Sequence, residues 1–317
     1  MASTSGTAAS CAAVVQALAT FASSMGWTIN NNAAYSGGWW LSISEGSVYR
    51  NYQTPSTDGE IWAFGATGFS STAAPNAQPG GMATPAICNP KAGPFTAYYF
   101  YSSSSASYLH CVIEISPGIF SHFHAGALAP AGGAGPGIYA TATNWSWYNA
   151  NSGRADSTYN IKPFDANSGG GGNGPVTTQG SAYGATLLTI DGYTGWYPFT
   201  SSGTSPHRLT QSGYVEGFGS AWQSTQIQAT PNTFDGIPVL SPIPIFAERG
   251  VGNVYSMVGE VLDCRIVNMM NNNPGDTLTI GSDTWVLYPL CQNFPNWQIN
   301  SLTPSSWPFG LAFRSNA

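Results

Sequence analysis

Residues 95–126, FTAYYFYSSSSASYLHCVIEISPGIFSHFHAG, hold three of the chain's four histidines and admit few folds. Tyr98, Phe100, Leu109, Cys111, Ile113 and Ile115 are β-formers, residues 102–107 make a polar turn, and Pro117-Gly118 separates 108–115 from 119–124. The spacing predicts a three-stranded meander. Along its middle strand, period-2 alternation puts Cys111, Ile113 and Ile115 on one face and His110, Val112 and Glu114 on the other. His122 and His124 share a face of the third strand, so two or three imidazoles and a carboxylate are expected to converge.

The flanking sequence predicts a strand-dominated α+β fold. Residues 8–25 carry apolar side chains at Cys11, Val14, Val15, Leu18, Phe21, Ala22 and Met25, the stripe of an amphipathic helix, with Gly26 as its stop. Strands are expected at 27–29, 39–44, 48–53 and 61–69. Residues 70–94, with five prolines, read as a long surface loop, and 125–137 as a Gly/Ala/Pro-rich one. SGGGGNGP at 168–175 lacks a following GK[ST], so it reads as a linker rather than a phosphate loop. Further strands are expected at 185–191, 193–199, 226–229, 239–247 and 257–270, and a hairpin over 277–290. The tail, with Trp297, Trp307, Phe309 and Phe313 among prolines, reads as irregular and as packing over a neighbouring domain or subunit. The expected division is a helix-on-sheet unit over 1–148, a Gly-rich linker over 149–175, and a β-rich unit with the aromatic tail over 176–317.

Charged residues make up 7% of the 317-residue chain, against about 25% in an ordinary globular domain. The chain has 11 Trp, 16 Tyr and 15 Phe, a balance typical of surfaces covered in an assembly. With eight Lys and Arg and a net charge of −6, there is no basic stripe for extensive nucleic-acid binding. No apolar run approaches the ~20 residues needed to span a bilayer, and MASTSGTAAS lacks the pattern of a cleaved signal peptide. Synthesis in a cytoplasm is expected. The five cysteines, Cys11, Cys88, Cys111, Cys264 and Cys291, form no CxxC pair and read as buried, reduced thiols.

His110, His122 and His124, with Glu114, are the metal candidates, because His-x-His on a strand places two imidazoles on one side. The motif is similar to the cupin HxH, but AGALAPAGG follows His124 where that family has a Glu. The histidines therefore read as packed or hydrogen-bonded at the sheet, with no metal or cofactor. No G-x-S-x-G elbow is present, and His207 reads as a loop residue beside Arg208. Glu45, Asp58, Glu60, Asp191, Glu216, Glu248, Glu260 and Asp263 show no paired-carboxylate signature. No catalytic residue is assigned, and no enzymatic activity is expected.

The N-terminal helix with GWTINNNAAYSGGWWLSISEG, then YLHCVIEISPGIFSHFHAGAL, then VYSMVGEVLDCRIVNM with PGDTLTIGSDTWVLYPL, resembles a family of tailed-bacteriophage virion structural proteins, over about residues 14–289. The resemblance implies a neck, collar or tail component assembled in the host cytoplasm. Its partners would be other copies of itself in a cyclic ring and neighbouring connector or tail proteins. Two alternatives are a receptor-binding or fibre-associated tail module, using exposed Trp and Tyr, and a virion-associated glycan hydrolase.

Overall fold

The computed structural model describes residues 2–81, 85–88, 90–102, 108–130, 139–143, 148–149, 154–155, 184–190, 193–198, 209–210, 237–248, 255–269, 271–289 and 309–315. In chain order these form β1 (Ala2–Ala8), α1 (Cys11–Ser24), β2 (Thr28–Tyr35), β3 (Gly38–Glu45), β4 (Val48–Thr54), β5 (Ile61–Ala66), a 3-10 turn at Pro75–Ala77 and β6 (Ala86–Cys88). There follow β7 (Phe95–Ser102), β8 (Tyr108–Ser116), β9 (Ile119–Pro130), β10 (Tyr139–Thr143), β11 (Tyr148–Asn149), β12 (Arg154–Ala155), β13 (Gly184–Ile190), β14 (Tyr193–Pro198) and β15 (Leu209–Thr210). The remaining strands are β16 (Pro244–Glu248), β17 (Tyr255–Val261), β18 (Cys264–Asn268), β19 (Thr277–Ile280), β20 (Asp283–Pro289) and β21 (Phe309–Arg314).

The expected class holds: a strand-dominated α+β fold with the N-terminal helix packed on antiparallel sheets. A central ten-stranded sheet has the path β1-β7-β8-β9-β10-β13-β14, with β17 also paired to β9 and continued by β16 and β15. The five-stranded sheet runs β2-β3-β4-β5-β6 and the C-terminal four-stranded sheet β18-β21-β20-β19. The predicted meander is β7-β8-β9, in the middle of the central sheet.

Alternation on these strands decides what each face meets. Phe100, Leu109, Cys111, Ile113 and Phe123 face one way and bury against α1 and the five-stranded sheet. Their core partners include Val14, Val15 and Leu18 of the helix and Leu41, Ile43 and Tyr52 of the sheet. Neighbouring Tyr99, Tyr101, His110, Phe120 and His122 face the other way and meet Tyr288 and Phe313 of the C-terminal sheet. The meander is thus the middle layer of three.

Helix α1 begins later than the apolar stripe suggests. Ser10 caps it, its hydroxyl accepting from Ala13 N at 3.1 Å, and the preceding residues are spent on β1. Gly26, at φ +92°, ends it as expected. Asp58 supplies a second, non-local cap. One carboxylate oxygen accepts from Cys11 N at 2.7 Å and the other from Gly93 N at 3.2 Å. This ties the helix N-terminus to two loops. Asp58→Ala is expected to destabilise the fold by about 2 kcal/mol, since two charge-assisted bonds go at once. Asp58→Asn keeps one acceptor and tolerates the positive φ of +44°, so it should lose less. Urea unfolding of both variants checks the order.

The 70–94 stretch is ordered in part by its own side chains. Gln78 Nε2 donates to the carbonyls of Ser70, Ala73 and Ala74, and its Oε1 accepts from Ser70 N. Four expectations are corrected. β1 was not expected, because ASTSGTA has no apolar alternation. The loop foreseen from 125 starts later, as β9 continues to Pro130. The single strand foreseen over 257–270 is two, β17 and β18, broken at Asp263 with φ +53°. The tail is not wholly irregular, since β21 lies between β18 and β20. The SGGGGNGP tract and the strand foreseen at 226–229 fall outside the described residues. Strands from both sides of that tract, β10 and β13, pair with each other in the central sheet. Among the described residues no helix is long and apolar enough to cross a membrane.

Candidate functional site

The register of β8 and β9 puts His110 directly opposite His124 and Val112 opposite His122. His110 and His122 are therefore diagonal neighbours on the same face, within reach for imidazoles. His110 Nδ1 lies 3.3 Å from His124 Nδ1, and His110 Nε2 lies 3.2 Å from His122 Nδ1. His122 Nε2 lies 2.8 Å from the carbonyl oxygen of Pro289 in β20. All three side chains are buried.

These contacts fix the protons of the neutral rings. A carbonyl only accepts, so His122 donates through Nε2 and its Nδ1 is an acceptor. His110 then donates through Nε2, its Nδ1 accepts, and His124 donates through Nδ1. The result is a one-way chain, His124 to His110 to His122 to Pro289, running from the central sheet into the C-terminal one. Phe313 of β21 covers it, its ring 3.7 Å from that of His110 and stacked on it.

Burial holds every member neutral. It pushes the His122 imidazole down to about 4, partly offset by the Pro289 bond. His124 is pushed down to about 3 by burial and then by the charge of Arg50. His110 falls well below its ordinary range through burial and the two neighbouring imidazoles. Arg50 itself is buried on β4, with its guanidinium 4.4 Å from the centre of the Trp196 ring of β14. Gly65 permits that approach, because a Cβ there would sit 2.2 Å from the indole.

The same geometry bears on a metal. An ion needs lone pairs converging on one point, whereas His110 turns opposite ring nitrogens to its two neighbours. Glu114, on the same strand face, is engaged elsewhere: Tyr99 OH and Gly118 N each donate to it at 3.3 Å. Among the described residues no group of three His, Cys, Asp or Glu side chains is placed to hold a metal ion.

Among the described residues, the other candidates do not gather. Asp58 caps the helix, and Glu60 accepts from the Trp62 indole at 2.6 Å. Glu260 pairs with Arg265 at 3.0 Å and Asp263 with Arg314 at 3.3 Å. Asp191, Glu216 and His207 lie outside the described residues. Cys11, Cys88, Cys111 and Cys264 are buried free thiols, as expected, and burial pushes Cys88 up to about 12. Cys291 is outside the described residues.

Sequence reasoning missed the acceptor and the lid of the imidazole chain, Pro289 and Phe313. The available signal was the alternation Phe309, Leu311, Phe313, masked by the prolines before it. No family model matches the chain, and no curated protein matches it.

Proposed function

We propose that the chain is a structural component of a tailed-phage virion, a ring subunit of the head–tail neck, collar or tail. One observation carries the reading: one of the segments that carry the resemblance is used as scaffold. YLHCVIEISPGIFSHFHAGAL makes β8 and β9, most of whose residues are buried. Its histidines bond to one another and to a backbone carbonyl rather than opening onto a cleft. The nearly uncharged, aromatic composition supports the same reading, because copies meeting around a ring must cover surface without desolvating charge.

The expected result is a cyclic multimer in native mass spectrometry, or stable co-elution with the connector or tail proteins of its virion. A monodisperse monomer that binds none of them would overturn the proposal.

A further inference from the structure

We propose that the three-imidazole chain is an acid-sensitive latch: above neutrality it fastens the C-terminal four-stranded sheet to the central sheet, and acid frees that sheet as a unit while the helix-side core stays folded. The inference rests on the geometry of the imidazole chain, with burial setting its sign, and stands apart from the virion reading.

The latch follows from the proton order. The nitrogens of His110 and His122 that lack protons are the ones that accept within the chain, each from a neighbouring N–H. A proton added to either ring sets two N–H groups against each other, in a site that burial keeps from water. Among the described residues, the titratable groups around the imidazoles are Tyr101 of β7, Tyr108 of β8 with Cys264 of β18 near it, Arg50 of β4 and, beside Phe313, Tyr288 of β20, neutral groups apart from one cation. Two described carboxylates of these layers, Glu114 and Asp263, bond to Tyr99 and Gly118 and to Arg314.

Release as a unit follows from how the C-terminal sheet is built. Val267, Met269, Trp285, Leu287 and Ala312 form an apolar cluster of their own, separate from the core beneath α1. Arg314 spans the sheet, paired to Asp263 at 3.3 Å and Asp283 at 2.9 Å. Two tethers remain among the described residues: the turn at 262–263, beyond which β17 is held by β9, and Ser241, which pairs with Ile266 of β18 just ahead of β16. Among the described residues, all three histidines lie on the other face of the meander from the helix-side core.

The sign is set by the folded histidines lying below their unfolded value of about 6.5. The contribution is complete above that pH and is lost as pH falls towards 4. Each neutral ring lowers the closing equilibrium by up to about tenfold per pH unit in that window.

The test is hydrogen exchange by mass spectrometry on the full chain between pH 7 and 4, corrected for intrinsic rates. Peptides covering 264–289 and 309–315 should gain exchange more than tenfold per pH unit, while those covering 11–24 and 39–66 keep their protection. His122→Gln, whose amide retains a donor and an acceptor but does not titrate, should lower the slope by about one proton. Simultaneous loss of protection in both regions, or an unchanged C-terminal sheet at pH 4, would overturn the latch. Should the variant fail to fold, histidine ring shifts of the wild-type chain by NMR decide it. Three rings neutral until the sheet opens support it, and one titrating at its ordinary pH in the closed protein overturns it.

Discussion

Phe313→Ala is expected to destabilise the attachment of the C-terminal sheet by about 3–5 kcal/mol, the range for a buried phenylalanine. Phe313 is fully buried, and its closest ring contacts lie on the far side of a layer boundary. It stacks on Tyr101 at 5.6 Å and on His110 at 3.7 Å, and lies 6.1 Å from His122. Removing it leaves a cavity that β21 is poorly able to close, because that strand is held on both sides by β18 and β20. The loss also uncovers the imidazoles, so water competes for the bonds joining the layers. Urea unfolding at pH 7.5 measures the loss. A change under about 1 kcal/mol would show that the layers are not joined through this ring.

Phe100→Ala should cost as much on the opposite face, about 3–5 kcal/mol, but with a different signature. Phe100 is fully buried, stacking on Phe21 of α1 at 5.7 Å and on Tyr98 at 4.6 Å. Its neighbour Tyr101 points into the other interface, so the two variants probe two boundaries of one sheet. Loss of helix signal in circular dichroism at lower denaturant is expected for Phe100→Ala, and early exchange confined to 264–289 and 309–315 for Phe313→Ala. If the two unfolded the same segments in the same order, the layers would not be separable units.

How much of this was legible in sequence depends on whether the signal was local. The period of two in YLHCVIEIS placed His110 and Cys111 on opposite faces, and the structure sends one to each layer. The helix stripe and Gly26 stop were equally local, as was the hairpin of β19 and β20. Asp58 as a cap for Cys11 was not legible, because the two meet only through the folding of the loops between them. Nor was β1, an edge strand whose pairing with β7 is backbone-made and leaves no apolar pattern. The histidines were singled out for their chemistry, yet what defines them is Pro289, a carbonyl that no side-chain motif records.

The place of β21 has a kinetic consequence. In the C-terminal sheet β18 and β20 do not pair with each other, and each is joined to the later strand between them, β21. The β19–β20 hairpin can close locally, but pairing Cys264 with Phe313 and Val286 with Phe313 requires a distant segment to insert between two waiting edges. Loop closure of that kind is slow relative to hairpin formation. The order of assembly is therefore written into the strand order: meander and hairpin first, insertion of β21 next, and only then the seating of Phe313 over the histidines.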